Sequence, residues 1–137
     1  WWDGDSSWVA AVKVYLAGRF GDRETLRELR GVLARVGVTV TSRWLDSGHQ
    51  SDDPTDAERS QYAREDLYDI DDADVLVLWN PAHHHRSGRG GRHVELGYAL
   101  AKRKRVILIG QRENVFHYLP HVEVLKDPYS LVDHLVA

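Results

Sequence analysis

Apolar positions along this chain fall into two alternating rhythms. Residues 12–17 (VKVYLA), β-branched and aromatic and closed by Gly18, read as a buried strand followed by a tight turn. From Asp22 onward Leu26, Leu29, Val32 and Leu33 recur at helical spacing with Arg and Glu between them, and Gly37 stops the pattern as a C-cap glycine does. Residues 38–44 (VTVTSRW) alternate and predict a second strand, with the polar stretch 46–54 as a loop. A second helix is predicted over 55–71, opened at Thr55 or Asp56, with Ala63, Leu67 and Ile70 on its inner face. Asp74 leads into VLVLW, an unbroken apolar run suited to the centre of a parallel sheet. Residues 80–91 form a Pro/Gly/Ser-rich basic loop, a helix follows from near Gly91, and residues 105–110 (RVILIG) make a fourth strand. Residues 122–125 predict a short fifth strand and 129–136 a closing helix. No internal repeat is present.

Strands alternating with helices imply right-handed crossovers and a parallel sheet. The fold class expected is α/β: a single doubly wound, flavodoxin- or Rossmann-like parallel sheet of about five strands with helices on both faces. Its 137 residues make one domain, with 1–7 (WWDGDSS) peripheral. In such sheets ligands bind beyond the carboxyl ends of the strands, where strand order reverses. If strands one and three adjoin there, the turn Gly18-Arg19-Phe20, the basic loop and the helix after it meet at one edge.

Two carboxylates break the apolar pattern at that edge. In GGRHVELGYALA (90–101), Glu95 sits in an otherwise apolar run opened by two glycines, in the first or second turn of its helix, where free N–H groups and the helix dipole favour an ionised carboxylate. Such a group serves either as a nucleophile or merely to complement the dipole. Asp66 stands in the stripe Ala63, Asp66, Leu67, Ile70, where packing alone would ask for leucine, although an edge carboxylate facing water would look the same. Tyr15, placed at the end of strand one, is within reach of Glu95 as a hydrogen-bonding partner or else a plain strand aromatic. Two carboxylates and a tyrosine in one cleft suit displacement at an anomeric carbon.

Composition narrows the partners. With 42% hydrophobic and 28% charged residues and a net charge of −3, the chain is a globular protein without the basic face that polymeric nucleic acid needs. It has no cysteine, no apolar run long enough for a membrane span and no basic-then-apolar leader, so a cytoplasmic protein is the expectation. The chain does not begin with Met, consistent with processing or trimming at the start. The cations Arg19, Arg86, Arg89 and Arg92, with His83, His84, His85 and His93, suit a phosphate, which favours a nucleoside monophosphate; a solvated basic loop accounts for them equally. Consecutive histidines cannot all face one ion, and no carboxylate is spaced to join them, so no metal is expected. Trp44 and Trp79, at strand ends, are candidates for stacking on a base.

The segments YLAGRF (15–20), DLYDIDDADVLVL (66–78) and GGRHVELGYALAKRKRVILIG (90–110) resemble the nucleoside 2-deoxyribosyltransferase family, which includes related nucleotide N-glycoside hydrolases. The resemblance covers about residues 12–120 and is most specific in the glycines and ELGYA around Glu95. It implies Glu95 as nucleophile, Asp66 as the acid that handles a proton or binds a sugar hydroxyl, and Tyr15 as the group orienting Glu95. It further implies Gly18, Arg19, Phe20, Gly91 and His93 in substrate binding, with no cofactor. The partners implied are a small nucleoside or nucleotide and a neighbouring subunit in a homodimer or larger homo-oligomer. Arg89 stands where transferases of the best-known type carry an acid that binds the base, and Asn114 is the candidate for an Asn they take from the neighbouring chain. The activity implied is N-glycosidic cleavage of a 2-deoxyribonucleoside or its 5-phosphate through a glycosyl-enzyme. The sugar then passes to another base or to water, or, in a different class, the fold serves only to bind a nucleotide.

Overall fold

Five parallel strands in the order β2-β1-β3-β4-β5 form the centre of the computed structural model, which describes residues 12–47, 53–82 and 89–136. β1 (Lys13–Ala17), β3 (Val75–Asn80) and β4 (Arg105–Gly110) supply the middle of the sheet and are apolar almost throughout, as strands covered on both faces must be. β2 (Thr39–Val40) and β5 (Val122–Leu125) are the edges. Against one face α1 (Arg23–Arg35) and the short α5 (Leu131–Leu135) bury Leu26, Leu29, Leu33, Leu131 and Leu135. Against the other, α3 (Asp56–Asp71) and α4 (Gly91–Ala101) bury Ile70, Leu96 and Ala99 around Tyr15. The order reverses between β1 and β3, so the expected doubly wound α/β sheet with helices on both faces is present.

Local signals place most element ends. Thr55 and Glu58 form a reciprocal capping box at the start of α3, and Gly37, at φ 85°, ends α1 as expected. The second strand is shorter than its alternation predicts. After Val40 the chain leaves the ladder because the Ser42 hydroxyl takes the Leu16 N–H at 2.6 Å and Asp69 takes the backbone N–H and Nε of Arg43, each at 3.0 Å. Residues Trp44–Ser47 then form the short helix α2.

Trp44 is therefore the first residue of a helix, not a strand end, and its indole N–H donates to the Leu16 carbonyl at 2.8 Å, a packing role. On α3 the inner stripe is shifted from the predicted one: Ala63 is exposed, Leu67 is half-buried, and Asp69 and Ile70 are buried. No helix among the described residues is long and apolar enough to cross a membrane. Residues 1–7 and 48–52 and the loop residues His83, His84, His85 and Arg86 lie outside the described residues.

Candidate active site

Tyr15 lies in the middle of β1, not at its end, and is fully buried beneath α3 and α4. Its hydroxyl donates to Glu95 Oε2 at 2.7 Å. Glu95 is the fifth residue of α4, in its second turn, only partly exposed. Asp66 comes from the third turn of α3 and shares a hydrogen bond with Glu95, which two carboxyls can do only by holding a proton between them. The spacing of the two helices is fixed farther down, where the Tyr98 hydroxyl of α4 donates to both Asp71 carboxylate oxygens at 3.0 and 2.9 Å and Lys104 caps the Asp71 carbonyl.

Burial sets the electrostatics of the pair. Desolvation first, then the charge of Asp66, raises Glu95 well above the usual carboxylate range, with the Tyr15 hydrogen bond pulling the other way. Desolvation also pushes Asp66 up to about 6, aided by the nearby charge of Asp69 and opposed by the Glu95 hydrogen bond. The helix start is expected from sequence to hold Glu95 ionised; five residues in, it is beyond the free N–H groups, and the close carboxyls outweigh the dipole. Between them the two groups keep one proton near neutral pH. Burial and the Glu95 charge raise Tyr15 well above its ordinary value, so it remains a donor throughout.

One turn earlier on α4 the charges are arranged in the opposite way. Arg92 and Arg19, both buried, each donate to Asn80 Oδ1 at 3.4 Å. Arg92 Nη2 also donates to both oxygens of Glu113, at 3.0 and 3.2 Å, and Arg19 Nη2 lies 3.8 Å from the same carboxylate. Gly110 makes this possible. At φ 118° it lets β4 turn across the end of β3, and a Cβ there would lie 2.2 Å from the Asn80 carbonyl oxygen. Asn80 Nδ2 then donates to the Gln111 carbonyl at 2.8 Å. Partial burial works to raise Glu113, but the hydrogen bonds from Arg92 and Asn80 and the Arg92 charge outweigh it and leave the carboxyl below its usual range.

Two histidines complete this network. The Asn114 side-chain Oδ1 accepts from the Phe116 N–H, which turns its amide nitrogen to His93 Nδ1 at 3.3 Å. His93 therefore carries its proton on Nε2, 3.6 Å from Glu113. The fully buried His117 accepts the Glu113 backbone N–H on Nδ1 at 2.8 Å. Burial and the neighbouring positive groups hold both imidazoles below their ordinary value.

The remaining candidates scatter around this edge. Gly18 is packed so closely that a Cβ would meet Leu26 at 3.0 Å and Trp79 at 3.5 Å. Phe20 is exposed, with the Arg23 guanidinium 4.2 Å over its ring. Gly91 opens α4 behind Gly90, whose φ of 88° starts the helix, and Arg89 is exposed before it. Among the described residues no three His, Asp or Glu side chains are grouped to hold a metal. Sequence reasoning missed Asn80, Glu113 and His117. A positional signal was available only for Asn80, a polar residue that ends an apolar central strand; Glu113 and His117 lie in the irregular segment beyond β4.

A family model described as nucleoside 2-deoxyribosyltransferase matches residues 14–129. No curated protein matches the sequence. Among solved structures the chain is similar to a 2-deoxyribosyltransferase from Bacillus psychrosaccharolyticus, with 21% identity, a TM-score of 0.70, and coverage of 89% of this chain and 91% of that one. It is also similar to the Clostridium botulinum CMP N-glycosidase BcmB, with 17% identity, a TM-score of 0.58, and coverage of 90% and 98%.

Proposed function

The chain belongs to the nucleoside 2-deoxyribosyltransferase family, and from that premise we propose that it cleaves the N-glycosidic bond of a 2-deoxyribonucleoside or its 5-phosphate through a covalent Glu95 ester, passing the deoxyribosyl group to another nucleobase. The observation that supports this most is the Tyr15–Glu95–Asp66 cluster, a buried donor and two carboxyls sharing a proton where α3 and α4 meet over β1. In the reactive form the shared proton has crossed to Asp66 and left Glu95 ionised, the reverse of the resting order, in which Glu95 holds it more tightly. With Tyr15 bonded to Oε2, a Glu95 oxygen attacks the anomeric carbon, the C–N bond breaks, and the departing base takes the Asp66 proton. In the second half a nitrogen of the incoming base attacks the same carbon, its proton goes to Asp66, and Glu95 leaves as the carboxylate.

Hydrolysis, with water in that second step, is the competing reading. It is favoured by Arg89, exposed where the resemblance would place a base-binding acid. Incubation with deoxynucleosides and their monophosphates, with and without an acceptor base, separates the readings. Exchange is expected for a transferase and base release alone for a hydrolase. Neither product would overturn the proposal and leave a nucleotide-binding module.

A further inference from the structure

Glu113 takes no part in the bond-breaking steps, yet its backbone is fixed by His117 and its side chain by Arg92. Two arginines at the end of a parallel sheet would ordinarily suggest a phosphate site. Their side chains, however, are only 5% and 6% exposed, while that of Glu113 is 40% exposed. A ligand entering there meets the carboxylate and not the guanidinium groups behind it. Both histidines are held toward the neutral form, so they add little positive charge to offset it.

We infer that Glu113 is a specificity residue: its carboxylate accepts a hydrogen bond from the 5-hydroxyl of the sugar and disfavours a 5-phosphate, so that the substrate is the free nucleoside. The inference rests on the pentosyl-transfer reading of Glu95. Arg92 and Glu95 are three residues apart and neighbours on the surface of one helix, so the carboxylate held by Arg92 stands at the same edge of the sheet as the nucleophile. A hydroxyl can donate to Glu113 while Arg92 keeps its bidentate contact. A phosphate would bring like charge against an ionised carboxylate and would have to displace it from both arginines.

The test uses one base in three forms: the 2-deoxynucleoside, its 5-monophosphate and its 5-deoxy analogue. Binding is measured by calorimetry on Glu95→Gln, which cannot turn over, and base release is measured on the unaltered protein. The nucleoside is expected to bind at least about tenfold more tightly than either other ligand. Glu113→Gln is expected to bring the monophosphate to within a few-fold of the nucleoside. Equal or tighter binding of the monophosphate to the protein with Glu113 intact would overturn the inference. So would a 5-deoxy analogue that binds as well as the nucleoside, and neither result depends on how the Glu113 variant folds. Selective binding of the nucleoside without any base release would instead sink the reading of Glu95, leaving Glu113 as a recognition group alone. Efficient turnover that favours the monophosphate would sink Glu113 and leave Glu95.

Discussion

Glu95, on α4, and Glu113, in the segment that follows β4, are the same kind of residue, and the structure gives them opposite surroundings. Glu95 faces another carboxyl and a neutral phenol, and its affinity for protons rises. Glu113 faces Arg92 and Arg19, and its affinity falls. The first arrangement is costly and keeps a proton in play, as bond-breaking chemistry requires. The second is settled in charge, as a positioning or recognition group requires. The neighbours, not the residue type, set this difference in charge, on which the two proposed roles rest.

Removing the reactive member should have the largest effect. Glu95→Gln is expected to lower base release by about 10⁴-fold or more while circular dichroism and melting stay near those of the parent. Activity retained within tenfold would break the contrast. Asp66→Asn should lower turnover by about 10²–10³-fold and remove the alkaline limb of the pH profile that its deprotonation produces.

The same variant tests the electrostatic cost. Because the folded-state pKa of Asp66 is raised to about 6, its contribution to stability is full below the unfolded carboxylate value near 4 and is lost as pH rises through about 6. Asp66→Asn should thus be more stable than the parent at pH 8, by on the order of 1–2 kcal/mol, and nearly equal to it at pH 4. Urea melts at the two values check this.

Tyr15→Phe keeps the buried ring and deletes the 2.7 Å donor, so kcat should fall about 10- to 100-fold and the acid limb of the profile should move to higher pH as Glu95 loses its stabilising bond. An unmoved limb would detach Tyr15 from Glu95. On the other side of the comparison, Arg92→Ala strips Glu113 and Asn80 of a buried partner and should cost about 2 kcal/mol of stability. A Glu113 carboxyl that stayed below its usual range in that variant, read by NMR titration, would show that Arg92 does not set its charge.

The sheet was legible because its central strands are apolar on both faces and its helices carry caps, as at Thr55 and Gly37. β2 was overextended because VTVTSRW alternates well, whereas the polar side chains of Ser42 and Asp69 take the backbone bonds that would have continued the ladder. In the site, Glu95 and Asp66 stood out as carboxylates set among apolar neighbours. Their shared proton did not, since it comes from two helices meeting over Tyr15. Glu113 was hidden for a related reason. It lies in an aperiodic segment, and its meaning depends on Arg19 and Arg92 from two other parts of the chain, brought together by the turn at Gly110.

The central claim is that Glu95 bonds covalently to the pentose. A 2-deoxy-2-fluoro nucleoside, whose fluorine slows breakdown of a glycosyl ester, provides the direct measurement when the intact protein and its peptides are weighed after incubation. One pentosyl adduct per chain is expected, on the peptide containing Glu95, and none in Glu95→Gln. An adduct on another side chain, or no adduct under conditions where the unfluorinated substrate is consumed, would contradict it.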